Sequence, residues 1–535
     1  MQPGSISHVE VILLLLLLLM AGLAFLAKWL GVAYPIVVVI GGLILSLLPH
    51  TPRVSLDANV VFLIILPPLL FSAGFHTSWR DFRGNIVSIV MLAFGLVGFT
   101  IYGVAATSRW LIPGFDWKLG LVLGSVVATT DAIAATSTAR RLGLPRRITD
   151  LLEAESLVND GSGLVALKFT LAMVVTGVTP SVLKGIGTLF YLIFAGVLIG
   201  LAVGVVMNAI QRQISEAPIE ITISIVTPYI AYLLAEGAQC SGVLATLTCG
   251  IFLGRRSSWY YSLHARIEGS AVWRTLDFML NGVVFLLLGL QLPYILAEIR
   301  GFSTGQLIFY GAIFSAIVIV LRLLWVYPGA WISSRLQHLL FQRESERISL
   351  KLTFLVGWAG MRGVLALAAA LSLPVRLRSG AAFPERNIII FLTFCAIFST
   401  LVLQGLSMPA LIRRLGLTGA TASRQEEEWA RRQMITAALD TLRKIREENG
   451  NDQPEVYDQL EGIYRRRLIL LGANPDSEEH LRDQLAQQHF VAQELRDVER
   501  SVALRLRDES KIHDEVLRTL EHELDLLDAR AESEF

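Results

Sequence analysis

The sequence has few charged residues and few cysteines. Charged residues make up 17% of the 535 residues and hydrophobic residues 53%, whereas soluble domains are roughly 25% charged. The three cysteines show no CxxC spacing, so neither a disulfide framework nor a thiolate metal site is predicted. A net charge of +1 does not favour nucleic-acid binding. No HExxH motif or other nucleophile or metal set indicates an intramembrane enzyme.

Charge and hydrophobicity are distributed unevenly along the chain. Up to about residue 415, apolar runs alternate with short polar loops, and beyond it Glu, Arg, Asp and Gln dominate. The sequence therefore predicts a transmembrane domain over residues 1–415 and a helical cytoplasmic tail over 416–535. The tail would regulate the protein or stabilise a dimer.

The apolar runs predict an all-α polytopic membrane protein, because a span needs about 20 apolar residues. The first run lacks preceding basic residues, so it is interpreted as a span and not as a signal peptide. Loops on one side hold more Arg and Lys, which predicts an external N-terminus and a cytoplasmic tail. There are roughly thirteen predicted spans: 9–30, 34–49, 59–75, 85–106, 118–137, 154–176, 182–208, 219–236, 240–254, 271–293, 304–327, 350–373 and 388–412.

The span 118–137 contains an aspartate beside two threonines. Charged residues within spans are costly and mark functional sites by default. Thr129, Thr130 and Asp131 predict a helix interruption, where freed carbonyls, hydroxyls and the Asp131 carboxylate would bind a cation such as Na+. A purely structural role for Asp131 remains the alternative.

A second polar group opens the span 154–176. Ser156, Asn159 and Asp160 are spaced i, i+3 and i+4, so they share one helix face and form an oxygen-lined patch. Glu155 points elsewhere on the same helix. A structural role for Asp160 is the alternative here too.

The third group lies in the span 350–373, where glycines surround Arg362. The glycines indicate a second helix break or a tight crossing. Arg362 cannot lose its proton and needs a partner within the membrane, for which Glu155 is the candidate. Arg322 is predicted to extend its head to the membrane surface, and Asp277 to lie at a solvated span end.

The two predicted breaks occupy corresponding positions in the chain. If spans 1–6 and 8–13 are inverted repeats, each break falls in the fifth helix of its half. Paired interrupted helices of this kind indicate a transporter site.

These patterns resemble one family, the bacterial Na+/H+ antiporters of the NhaP/NHE branch of the monovalent cation:proton antiporters. The combination of ESLVND and GMRG is specific, and the resemblance covers most of the chain. It is carried by LPPLLF at 66–71, TTD at 129–131, ARRLGLP at 139–145, EAESLVND at 153–160, SGVLA at 241–245, LDFMLNGVVFLLLGLQL at 276–292, GWAGMRGV at 357–364 and IHDEVLRTLEHELDL at 512–526.

The resemblance implies thirteen helices in a dimerisation domain and a mobile core domain, with crossed broken helices. Asp160 would alternately bind cation and proton, while Asp131, Ser156 and Thr130 help to hold Na+. Asn159 marks the branch associated with electroneutral exchange. Glu155 and Arg362 would form a structural or tuning ion pair.

One position departs from the family pattern. Ser72 follows LPPLLF where relatives usually carry an acid, so it offers a hydroxyl but no charge and is a doubtful contributor. This leaves open the choice between Na+ and K+.

The expected function is the exchange of Na+, or Li+, for H+ across a bacterial inner membrane by a homodimer in the lipid bilayer, without a cofactor. K+/H+ exchange is the main alternative. A cation channel is less favoured, because the sequence shows no repeated pore loop. The partners would be monovalent cations and protons, with no nucleic acid.

Overall fold

A computed structural model describes residues 8–48, 57–112, 114–177, 182–299, 301–341, 349–377, 380–417, 421–448, 454–472 and 479–509, with short pieces between 511 and 527. Within these residues the regular secondary structure is helical, and one isolated bridge joins Arg376 and Ala382. The chain forms two compact units, residues 1–419 and 420–535.

The first half of the larger unit contains helices α1 (His8–Leu30), α2 (Tyr34–Ser46), α3 (Ala58–His76), α4 (Ile86–Leu111), α5 (Trp117–Val127), α6 (Ile133–Arg141) and α7 (Arg146–Thr176). The second half contains α8 (Val182–Gln211), α9 (Ala217–Gly237), α10 (Gly242–Tyr260), α11 (Leu263–Leu290), α12 (Thr304–Phe341), α13 (Leu350–Trp358), α14 (Val364–Leu371) and α15 (Arg386–Leu415).

Each predicted span coincides with one helix or, in two places, with a pair of shorter helices. Eight helices of the described residues are long and apolar enough to cross a membrane, and three more are apolar but shorter. The predicted all-helical polytopic fold is therefore confirmed, whereas the count of thirteen spans stays a prediction.

Several predicted spans are shorter than the helices that contain them; the span predicted at 271–293, for example, starts inside a helix that begins at Leu263. The span predicted at 154–176 begins at Arg146, and the one predicted at 304–327 continues to Phe341. The prediction followed apolar composition, which marks the bilayer thickness, whereas the backbone hydrogen bonds of a helix continue into its polar ends.

The helices of the larger unit pack in two sets. One set contains α1–α3 and α8–α11, with close pairs α2–α11 and α3–α10, and the other contains α4–α7 and α12–α15. A transmembrane helix pair packs through small residues, since lipid tails give no hydrophobic driving force. Gly250 and Gly254 of α10 show this, because a Cβ at either would fall on the backbone carbonyls of Phe71 or Phe75. This approach fixes the part of α3 that carries Ser72.

The smaller unit contains helices α16 (Thr421–Glu448), α17 (Pro454–Gly472) and α18 (Glu479–Asp508). The first two pack together, and Arg446 of α16 binds Asp458 of α17 at 2.9 Å. Most of the tail motif at 512–526 lies outside the described residues. The role of the tail stays a prediction.

Candidate functional site

Two helix breaks meet within the larger unit. Between α5 and α6 the chain leaves the helix over residues 128–132, and between α13 and α14 it does so over 359–363. The amide of Asp131 donates to the carbonyl of Met361 at 2.8 Å, which joins the two breaks. Gly363 permits this approach, since a Cβ there would fall on the Asp131 side chain. The predicted crossing of two broken helices is confirmed.

Asp131 also lies two residues before the second half of its own broken helix. One carboxylate oxygen, Oδ1, accepts a hydrogen bond from the amide of Ile133, the first residue of α6, at 2.8 Å. Negative groups at helix N-termini satisfy free amides and stabilise the helix dipole. Asp131 is thus tied to the local fold through one oxygen of its carboxylate.

The polar face of α7 lies against the first break, as its spacing predicted. The hydroxyl of Ser156 donates to the carbonyl of Thr130 at 2.6 Å, and the amide nitrogen of Asn159 donates to the Thr130 hydroxyl at 3.0 Å. Asn159 is fully buried, and its Oδ1 has no hydrogen-bond partner among the described residues. The structure therefore brings Thr130, Ser156 and Asn159 together.

A cavity of about 400 Å3 lies beside this contact. Asp131, Asp160, Ser156 and Thr130 all line it. It extends to the ends of α3 and α6, where Arg140 is 63% exposed and binds Glu153 at 2.6 Å. The cavity thus connects Asp160 with one surface of the unit.

The cavity collects negative charge next to neutral oxygens. Asp131 lies near enough to Asp160 to interact with it electrostatically. Clefts lined by one sign of charge attract ions of the other sign, and hydroxyl, carbonyl and carboxylate oxygens are the ligands that hard cations prefer. The arrangement can hold a small cation or a proton at Asp160.

The predicted partner of Glu155 was wrong. Arg322 of α12, not Arg362, binds both carboxylate oxygens of Glu155, at 2.5 and 2.9 Å. Arg322 also donates to the carbonyls of Gly357 and Val356, so its donors meet the C-terminal end of α13. It is buried and does not reach a membrane surface, because these four acceptors lie inside the unit.

Arg362 is buried near the same pair. Its backbone amide donates to the Thr400 hydroxyl at 3.0 Å, and its side chain interacts electrostatically with Glu155 and Arg322. Nε and Nη1 of Arg362 have no hydrogen-bond partner among the described residues. The prediction that glycines surround this arginine at a break holds, but the ion pair assigned to it does not.

Sequence reasoning missed Asp277. The prediction placed it at a solvated span end, but α11 begins at Leu263, so Asp277 lies in mid-helix and lines the cavity. Its Oδ2 accepts a hydrogen bond from Ser72, the doubtful contributor, which also lines the cavity. The signal available in the sequence was a carboxylate in an apolar run.

Comparison with known proteins identifies the fold and family. The family model described as sodium/hydrogen exchanger, transmembrane, matches residues 8–414. A protein of Mycobacterium tuberculosis named as an uncharacterised Na+/H+ exchanger is 33% identical over 501 residues, covering 92% of this chain and 90% of its own. A sodium, potassium, lithium and rubidium/H+ antiporter of Bacillus pumilus is 31% identical, covering 82% of this chain and 66% of its own.

The fold is also similar to a solved structure. The sodium proton antiporter MjNhaP1 of Methanocaldococcus jannaschii superposes with a TM-score of 0.56 at 18% identity, covering 76% of this chain and 97% of the other. At this identity the likeness shows the fold. Together with the match to the family model over residues 8–414, it shows that the chain is a multi-pass membrane transporter belonging to the sodium/hydrogen exchanger family.

Proposed function

We propose that the protein exchanges Na+, or Li+, for H+ by alternating access, with Asp160 as the carboxylate that binds either ion. The observation that carries the proposal is the position of Asp160. It lines a cavity beside the crossing of two broken helices, together with Asp131. Broken helices at the membrane midplane are where secondary transporters bind ions.

The ligands proposed for Na+ come from both sides of the first break. Asp160 and Asp131 supply carboxylate oxygens, and Ser156 and Thr130 supply neutral oxygens that already lie 2.6 Å apart. The Ser156 hydroxyl now donates to the Thr130 carbonyl, so a bound cation would turn that hydroxyl away and use both oxygens. Asn159 holds the Thr130 hydroxyl in place and adds no charge.

Competition for one carboxylate explains obligatory exchange. Removal from water disfavours the charged form of a carboxyl group, so the proton and the cation both stabilise Asp160 by neutralising it. A single carboxylate does not hold both at once. If the helix sets move only when Asp160 is neutralised, each cycle carries one cation one way and one proton the other, which is electroneutral.

K+/H+ exchange is the second candidate. The position that usually carries an acid holds Ser72, which lines the cavity and is neutral. The B. pumilus relative, named for four alkali cations, also supports a broader choice of ion.

We further propose that the protein is a homodimer of the inner membrane with an external N-terminus and a cytoplasmic tail over residues 416–535. In this orientation the cavity opens to the cytoplasm, since it reaches the end of α3 at His76. A tail that regulates exchange would shift the pH profile when removed, so a chain ending at residue 415 with an unchanged profile would argue against regulation.

The proposal is tested in proteoliposomes that contain a pH-sensitive dye. Na+, Li+ or K+ is added outside as the test cation. Each measurement is made with and without a K+/valinomycin clamp of the membrane voltage. We expect Na+ or Li+ to drive proton movement that the clamp does not alter and that Asp160→Asn abolishes. The matched control is Asp116→Asn, an exposed N-cap residue of α5 that asparagine replaces well. Proton movement in Asp160→Asn equal to that of the control would refute the assignment.

A further inference from the structure

Asp277 is the carboxylate of the cavity that the proposed exchange at Asp160 does not use. It lies in the middle of α11, and its Oδ2 accepts a hydrogen bond from the Ser72 hydroxyl of α3 at 2.5 Å. Both residues line the same cavity as Asp131 and Asp160. Asp277 therefore reaches the cavity from one set of helices, and the other two aspartates reach it from the other set.

The second oxygen of Asp277 remains uncommitted. Its Oδ1 is buried and has no hydrogen-bond partner in the described part of the chain. Such an oxygen is costly unless it meets a proton, a cation or water. The cavity of about 400 Å3 provides room for these, since one water occupies about 30 Å3 of the liquid.

The groups around Asp277 leave its charge available to the cavity. Tyr34 interacts electrostatically with both Asp131 and Asp277, so the two carboxylates lie near one hydroxyl. His76 interacts with Asp277 as well, and its Nδ1 lies 2.7 Å from the Ser72 carbonyl oxygen. Arg140 at the rim is bound to Glu153. No ion pair found among the described residues includes Asp277.

We propose that Asp277 is a third carboxylate of the ion-binding cavity and determines the affinity for the cation on the side to which the cavity opens. Alternating access moves one set of helices relative to the other. Asp277 would then act on an ion at Asp160 only while the cavity joins them. This inference rests on the proposed exchange at Asp160.

The test is Asp277→Asn in the full-length protein in proteoliposomes, with the cation concentration varied for Na+, Li+ and K+. We expect the half-saturating Na+ concentration to rise about tenfold, the size of effect expected from removing one charge near the ion across a water-containing cavity. The maximal rate should stay within about twofold, because Asp160 still carries the ion. An unchanged half-saturating concentration for every cation would overturn the proposal.

The double variant Ser72→Asp/Asp277→Asn separates an electrostatic from a structural role. It moves the carboxylate across an existing hydrogen bond and keeps two polar partners there. We expect it to restore most of the lost Na+ affinity. A failure to restore affinity in a folded double variant would mean that Asp277 only holds α3 against α11, which overturns the proposal. If Asp277→Asn does not fold, the double variant alone tests the proposal. We expect its half-saturating Na+ concentration to be close to that of the wild-type protein.

A second readout distinguishes failure of this inference from failure of the proposed function. Na+ should raise the unfolding temperature of the wild-type protein in detergent, and Asp277→Asn should need about tenfold more Na+ for the same rise. This readout does not depend on exchange, so it tests Asp277 even if no cation drives proton movement. If Asp277→Asn abolishes exchange at saturating Na+ while Asp160→Asn retains it, Asp277 is the carrier and both proposals fall.

Discussion

The carboxylate of Glu155 and the guanidinium of Arg322 form a buried two-point ion pair, with oxygen–nitrogen distances of 2.5 and 2.9 Å. The pair joins α7, which carries Asp160, to α12. The remaining donors of Arg322 bind the last carbonyls of α13 at the second helix break. The pair therefore ties the helix that carries the proposed ion site to the second helix break.

Removal of one member of this pair should strongly destabilise the protein. Arg322→Ala leaves both buried oxygens of the Glu155 carboxylate without their hydrogen-bond donors, and breaking a buried pair by removing one partner costs about 3–5 kcal/mol. The measurement is thermal unfolding in detergent, with Arg140→Ala as control. Arg140 and Glu153 form an ion pair with 63% and 34% exposed side chains, and exposed pairs contribute about 0–1 kcal/mol. Equal unfolding temperatures for the two variants would contradict the account.

Glycine at position 360 should be required for the same pair. A Cβ at Gly360 would fall on the side chain of Arg322, which passes directly over the break. Gly360→Ala should therefore displace Arg322 and cost more than about 3 kcal/mol, beyond the usual range for overpacking. Gly98→Ala is the control, because Gly98 lies in α4 and an added Cβ there would meet no atom within 4 Å. The idea fails if Gly360→Ala unfolds at the same temperature as Gly98→Ala.

Asp131 should matter for both the fold and the affinity for the cation. Asp131→Ala removes the hydrogen bond that the carboxylate accepts from the amide of Ile133, which costs about 1 kcal/mol, and removes a proposed ion ligand. Asp131→Asn keeps an oxygen that can accept the hydrogen bond from Ile133 and loses the charge. We expect Asp131→Asn to unfold near the wild-type temperature but to need more Na+ for half-maximal exchange, and Asp131→Ala to lose stability as well. Wild-type Na+ dependence in both variants would remove Asp131 from the site.

The apparent affinity for Na+ should depend on pH. If H+ and Na+ compete for Asp160, the half-saturating Na+ concentration falls about tenfold per pH unit while the site is mainly protonated. At higher pH it becomes constant, because no proton remains to be displaced. Exchange measured as a function of Na+ at several pH values tests this. A half-saturating concentration that does not vary with pH would rule out direct competition.

Much of the site could be predicted, because it depends on interactions between residues that are close together in the sequence. Charged or small polar residues in apolar runs mark helix breaks, which located both crossing segments, and helical spacing placed Ser156, Asn159 and Asp160 on one face. The partner of Glu155 could not be predicted this way, because Arg322 in α12 and Arg362 at the second helix break both lie near it in the fold. The tertiary packing places the guanidinium of Arg322, and not that of Arg362, within hydrogen-bonding distance of the Glu155 carboxylate.

Asp277 was missed for a related reason. Apolar composition set the start of its span at 271, so the residue was placed near an end, whereas the helix begins at Leu263. Its meeting with Ser72 depends on how α3 and α11 pack, and this is a property of the tertiary structure. Side chains whose role depends on a distant helix are the ones that spacing does not reveal.

The central claim, that one carboxylate binds either Na+ or H+, is tested most directly by counting protons. Purified protein in weakly buffered detergent solution is titrated with Na+ at a pH where the site is mainly protonated, and the released H+ is measured against the Na+ bound. The account predicts about one proton released per bound Na+, and no release from Asp160→Asn. Na+ binding without proton release in the wild-type protein, or equal release from Asp160→Asn, would contradict it.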